Sequence, residues 1–143
     1  MNRMRTIFVD ADAFIALTKQ DDSSHKRAKQ IFEKLQDAPV IFVTSNLVFI
    51  EVVTVLSQRI NHETAVTFIN NMKSEDSIFQ IERINEDTEE KAIQIFIEQK
   101  SKNVSFVDCA NIAIVRYKDM DGIFSFDSIY KKNGFKIAED III

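Results

Sequence analysis

The chain of 143 residues is 45% hydrophobic with two Gly and one Pro, which fits a single domain over residues 1–143 with little room for linkers. Its lone Cys109 excludes an intrachain disulfide, and with only His25 and His62 beside it a zinc site lacks ligands, so a reducing, cytoplasmic setting is expected. A net charge of −4 argues against a general nucleic-acid binder, which carries a basic excess, but not against an enzyme that meets phosphates through a bound cation.

Arg3 and Arg5 precede an apolar run that Asp10 and Asp12 interrupt, so the opening reads neither as a signal peptide nor as a membrane span. Residues 6–9 read as a short buried strand ending at Asp10, and residues 11–19 as the helix that follows. Ser23 or Ser24 caps a second helix, whose Ala28, Ile31, Phe32 and Leu35 form an apolar stripe, and Pro39 ends it. Residues 40–43 form a second strand, and Thr44 or Ser45 starts the helix that carries Glu51. Asn61 opens another helix, with Ala65, Phe68, Ile69 and Met72 on one face. Residues 78–84 alternate like a strand, and Asp87 or Thr88 caps a helix through Ala92, Ile95, Phe96 and Gln99. Ser105 caps a helix with Asp108 in its first turn, residues 122–126 form a strand ending at Asp127, and residues 135–138 a last strand. The clusters Lys26, Arg27, Lys29 and Lys131, Lys132, Lys136 read as solvated faces.

This alternation predicts an α/β fold around a mostly parallel sheet, in which ligands bind outside the carboxyl ends of the strands. Asp10, Glu51, Asp108 and Asp127 all fall where a strand hands over to a helix, or early in the helix that follows. A carboxylate in apolar surroundings is unfavourable unless compensated, and a shared hard cation such as Mg²⁺ or Mn²⁺ compensates several at once. Each acid also has a structural alternative. Asp10 can cap a helix, although Asp12 is available for that task. Glu51, among Leu47, Val48, Thr54 and Val55, is expected to be buried and could pair with an Arg. Asp108 completes a variant capping box with Ser105, and Asp127 can initiate a turn. Asn111 lies one turn after Asp108 as a polar supporting partner. Thr44 and Ser45 could bind a phosphate, a water or the following helix's amides, and Ser125 places a hydroxyl beside Asp127.

Taken together, residues 8–12 with Asp10, Thr44-Ser45 followed by Glu51, the run from Ser105 through Asp108 to Ala110, and the run from Ile123 through Ser125 and Asp127 to Tyr130 resemble the PIN domain. In size the chain is similar to the VapC-type toxin ribonucleases of prokaryotic toxin–antitoxin pairs. The resemblance covers nearly the whole chain. It implies a three-layer α/β/α fold, one or two Mg²⁺ or Mn²⁺ ions, and ribonuclease activity on single-stranded RNA. By position Asp10, Glu51 and Asp108 match the family's three central acids, Asp127 the fourth and Ser125 its neighbouring hydroxyl. Asp12 stands where the family often has Asn or Ser. The resemblance further implies an antitoxin covering the acidic cleft. A homodimer through apolar helices, such as the Phe-rich second or fourth, is also expected.

Three other readings stay open at this stage. A solitary PIN nuclease in RNA processing would lack an antitoxin. The Asp10-Ala11-Asp12 opening also looks like that of a haloacid-dehalogenase-like phosphatase, although no later Gly-Asp-x-x-x-Asp follows. A non-catalytic, metal-binding partner module of the receiver kind would need a Lys at a late strand end, where this chain has Asp127.

Overall fold

A computed structural model describes residues 4–142. Arg3 of the basic opening and the extreme ends of the expected 1–143 domain lie outside the described residues. The elements run β1 (Arg5–Val9), α1 (Ala11–Thr18), α2 (His25–Gln36), β2 (Val40–Ser45), α3 (Asn46–Arg59), α4 (His62–Lys73), β3 (Phe79–Glu82), α5 (Glu86–Glu98), α6 (Phe106–Tyr117), β4 (Gly122–Phe124), α7 (Ile129–Lys132) and α8 (Ala138–Ile141). Among the described residues no helix is long and apolar enough to cross a membrane.

The four strands pair in the order β3-β2-β1-β4, and every pairing is parallel. In β1, the apolar run Ile7, Phe8, Val9 is wholly buried, as a central parallel strand covered on both faces requires. Its register sets Phe8 beside Val43 on one side and Ile123 on the other. Helix α1 packs on α2 and α3, and α3 on α4, while α5 and α6 pack on each other. The chain steps from β1 to β2 to β3, then returns to β4 on the far side of β1. Right-handed crossovers therefore place the two helix groups on opposite faces, giving the expected α/β/α layers. A cluster of edge-on rings fills the first interface, with Phe14 at 5.1 Å from Phe79 and 5.4 Å from Phe68 between centroids.

Four expectations change. The strand expected at residues 135–138 is a single parallel bridge, Ile137 to Ile123, before α8 begins. Gly134, at φ +86°, turns the chain there, and Gly122 lets α8 approach, since a Cβ would run into the Ile141 side chain and the Lys136 carbonyl. Strand β4 stops at Phe124, beyond which the Phe126 and Asp127 amides donate to the Asp12 carboxylate and the Ser125 hydroxyl instead of to a ladder. Helix α5 is capped by Asn85, not Asp87 or Thr88. The Asn85 Oδ1 accepts from both the Thr88 amide, at 2.9 Å, and its hydroxyl, at 3.0 Å. The Phe rings of α2 and α4 also turn inward. Phe68 is buried and Phe32 packs on Phe42 and Phe79, so these helices do not offer the apolar faces expected for a homodimer. The large exposed apolar side chains include Ile50 of α3, Phe96 and Ile97 of α5 and Phe106 of α6.

Candidate active site

Because all strands are parallel, Val9, Ser45, Glu82 and Phe124 end at one edge of the sheet. The strand order reverses at β1, so the crevice outside its carboxyl end is the topological switch point where α/β sheets bind ligands. Asp10 stands there. A cleft of about 260 Å³ is lined by Asp10, Asp12, Glu51, Asp108 and Asp127, with Arg59, Ala11, Ile15 and Val55. The tertiary structure thus brings all four acids expected from the sequence to one cavity. A larger groove of about 420 Å³, floored by Phe14, Phe32, Phe68 and Phe79, contains Asp76 as its one acid and no comparable cluster.

Asp10 is buried and accepts four hydrogen bonds. Its Oδ1 takes the Ala11 amide at 2.8 Å and Asn111 Nδ2 at 3.1 Å. Its Oδ2 takes the Tyr130 hydroxyl at 2.9 Å and the Ser125 hydroxyl at 3.1 Å. Asp10 therefore occupies the cap position of α1, and Asp12 does not relieve it of that task. Asp12 instead ties down the loop after β4, accepting from the Phe126 amide at 2.9 Å and lying 3.2 Å from the Ser125 hydroxyl. Asp108 divides its carboxylate. Oδ2 completes the capping box with the Ser105 amide at 3.1 Å, and Oδ1 lies 3.4 Å from the Tyr130 hydroxyl. Asp127 is exposed and its Oδ1 accepts from the Ile129 amide at 2.9 Å, as a turn-initiating Asp does.

Glu51 corrects an expectation. It is exposed, because α3 buries Val48, Val52 and Leu56 and turns Ile50 and Glu51 outward. An apolar sequence around a residue does not bury it when the helix lies on the surface of the sheet. Thr44 and Ser45 are likewise corrected as substrate-binding residues. Both are fully buried, the Thr44 hydroxyl donates to the Val9 carbonyl at 2.8 Å, and the Ser45 hydroxyl accepts the Val48 amide at 3.1 Å as the cap of α3. Ser125 is buried too and serves the carboxylates, so direct contact with substrate is not its role.

Burial, then the charge of Asp12, pushes Asp10 up to about 7. Burial pushes Asp12 up to about 6, with the charge of Asp127 adding to it. Glu51 is raised by desolvation in the cleft wall and by the charge of Asp108, and Asp108 by burial and by the charge of Asp127. Burial beside Asp10 drives the Tyr130 phenol far above its usual range, so it stays a neutral donor. The Ser125 hydroxyl has one proton yet faces two carboxylate oxygens, at 3.1 and 3.2 Å. Among the described residues the Asp12 Oδ1 is buried without a partner. Among the described residues none of these acids forms an ion pair with a side chain. An under-compensated set of oxygen donors of this kind suits a hard divalent cation. No three acids among the described residues already stand in an arrangement that would hold an ion.

Residues 7–136 match the PIN domain family. The chain belongs to the PIN domain family. This PIN domain is 30% identical to the 23S rRNA-specific endonuclease VapC20 of Mycobacterium tuberculosis, strain CDC 1551 / Oshkosh, over 129 residues, 90% of this chain and 95% of the relative. The same figures hold for VapC20 of strain ATCC 25618 / H37Rv. The crystal structure of M. tuberculosis VapC20, described as a Sarcin-Ricin loop cleaving toxin, superposes with a TM-score of 0.81 at 29% identity, covering 91% of this chain and 96% of that one. A toxin-antitoxin complex from Klebsiella pneumoniae shares the fold, with a TM-score of 0.62 at 18% identity over 85% of this chain and 87% of that one. The PIN domain described here therefore stands with the VapC-type endoribonuclease toxins.

Sequence reasoning proposed Asn111 as a supporting partner, and it donates to Asp10. No local pattern marks Tyr130 or Arg59 as functional residues. Tyr130 looks like one more apolar residue of a short helix, and only tertiary packing sets its hydroxyl on Asp10. Arg59 lies eight residues beyond Glu51, with Val55 between them, so that the three share one broad stripe of α3.

Proposed function

We propose that this PIN domain is a metal-dependent endoribonuclease of the VapC toxin type, hydrolysing phosphodiesters of single-stranded RNA to leave 5′-phosphate and 3′-hydroxyl ends. The observation that carries the reading is the convergence of Asp10, Glu51, Asp108 and Asp127 on one cleft at the switch point of the sheet. Asp10, Glu51 and Asp108 would hold Mg²⁺ or Mn²⁺, with Asp127 at the rim. A bound cation supplies an activated water and charge compensation at the phosphate. Asp10, fixed by its four donors, sets the direction from which a proton or a water is held. Tyr130 and Asn111 keep its carboxylate from rotating. Asp108, anchored by Ser105, presents its other oxygen to the same space.

The likeness to VapC20 supports a ribosomal RNA loop as the first substrate to try and a small antitoxin protein as partner. A cytoplasmic setting and a homodimer through the outward side chains of α3, α5 and α6 complete the proposal. The phosphatase reading loses its support because the Thr44 hydroxyl is buried on a backbone carbonyl and no Lys lines the cleft. The absence of a cleft Lys weakens the receiver reading in the same way.

The test is cleavage of a single-stranded RNA and of a sarcin-ricin loop oligonucleotide with Mg²⁺ or Mn²⁺, with and without chelator. Cleavage undiminished by chelator, or by Glu51→Gln, would sink the proposal.

A further inference from the structure

We infer that Arg59 is the substrate-positioning residue of this cleft, gripping a phosphate of the RNA next to the one that is cut. This rests on the nuclease reading above. A cleft lined by five carboxylates repels a polyanion, and a cation bound by those carboxylates can serve only the phosphate it touches. The cleft needs a second positive group for the flanking backbone, and among the described residues Arg59 is the one basic side chain lining it.

Helix geometry directs it there. Glu51, Val55 and Arg59 recur every fourth residue and all line the cleft. Side chains of a helix lean toward its N-terminus, the direction in which Val55 and Glu51 lie from Arg59. Arg59 is exposed, and among the described residues its side chain forms no ion pair or hydrogen bond, although carboxylates share its cavity. Four other cations are engaged elsewhere. Arg27 binds Glu139 and lies over the Phe126 ring, Lys91 binds Asp87, Lys131 binds Asp140 and Lys19 binds Asp21. A free guanidinium at the mouth of the cleft offers two parallel N–H donors to a phosphate, which no acid nearby can do.

A structural role makes a different prediction. Arg59 closes α3, where a positive charge is favourable at the helix C-terminus. Its loss would then lower stability slightly and leave RNA affinity alone.

The experiment compares wild type, Arg59→Ala and Arg59→Lys for KM and kcat on a single-stranded RNA oligonucleotide with Mg²⁺. RNA binding is measured over a salt series in the non-cleaving Asp10→Asn background, and Mn²⁺ affinity by calorimetry. Arg59→Ala is expected to weaken RNA binding about tenfold, as loss of one charged contact does, with kcat changed less than KM. The slope of log affinity against log salt should fall by about 0.7, one phosphate contact on a single strand. Arg59→Lys should keep the slope and recover part of the affinity. Unchanged RNA affinity and slope, or a loss that follows only from weakened Mn²⁺ binding, would overturn the inference. If the wild type binds RNA through Arg59 but never cleaves it, the nuclease reading fails and takes with it the placement beside a cut phosphate, so the inference is overturned and Arg59 is an RNA contact alone. If it neither binds nor cleaves, both fail.

Discussion

The Tyr130 hydroxyl donates to Asp10 Oδ2 at 2.9 Å while accepting from Asn111 Nδ2 at 2.9 Å. Asn111 in turn donates to the other Asp10 oxygen at 3.1 Å. This closed triangle holds the central carboxylate with neutral donors, so it steadies Asp10 without neutralising it and leaves its charge available to a cation.

Replacing Tyr130 by Phe keeps the ring in its buried site and removes one side of that triangle. Affinity for Mn²⁺ should drop about 10–100-fold, as is usual when an outer partner of a metal ligand is lost. Stability should fall by about 1–2 kcal/mol, because an Asn111 N–H is left without its acceptor. Calorimetry with Mn²⁺ and urea unfolding would show both effects.

Glu51→Gln and Asp10→Asn separate function from folding. Glu51 is exposed, so Glu51→Gln should cut RNA cleavage by about 100-fold or more while stability shifts by less than about 0.5 kcal/mol. Asp10→Asn should also abolish cleavage. Burial and Asp12 already disfavour its charged form, so in chelator at neutral pH this variant should melt no lower than wild type. A melting temperature well below wild type would mean that the hydrogen bonds accepted by both Asp10 oxygens outweigh the cost of its buried charge.

Stability without cation should depend on pH with a definite sign. Asp10 rises from 3.8 to about 7 on folding and Asp12 from 3.8 to about 6. The folded protein therefore holds these protons more tightly than the unfolded chain. Their contribution is fully present below 3.8, is lost as pH rises through about 6 and about 7, and is flat above that. Thermal melting in chelator should show this decline. Added Mg²⁺ or Mn²⁺ should restore stability most at the alkaline end, where the carboxylates are charged. A melting temperature that rises with pH across this window in chelator would contradict the electrostatics of the cleft.

Thr44→Val and Ser45→Ala test the corrected roles of those hydroxyls. Each should lower stability by about 1 kcal/mol, through loss of a buried hydrogen bond or a helix cap, with KM for RNA unchanged. A rise in KM at constant stability would return them to the substrate.

Much of the site was legible because its signals are local. A buried strand that stops at an Asp, a Ser three residues before an Asp at a helix start, and a polar residue inside an apolar strand each mark a boundary within a few residues. Asp10, Asp108 and Ser125 could be picked out in this way, and Asn111 followed from helical spacing. The strand at residues 135–138 failed for the converse reason. Its apolar residues are short of a full period, and Gly134, Gly122 and α8 decide its shape through contacts distant in sequence. Asn85 caps α5, although Asp87 and Thr88 carry equally good capping side chains and nothing local ranks the three.

By itself the sequence determined the alternation of strands and helices, the parallel α/β class, and the set of acids placed at strand ends and early helix turns. These follow from periodicity and from the unfavourable burial of charge, which act within a few residues. Only the tertiary structure decided which acids are buried and which oxygens are bound. Glu51 is exposed because α3 turns a different face to the sheet, Thr44 and Ser45 are enclosed because β2 lies inside it, and Tyr130 meets Asp10 across 120 positions of chain. Those outcomes depend on how helices rotate and pack against a shared core. Packing is a relation between distant segments, and no local pattern encodes it.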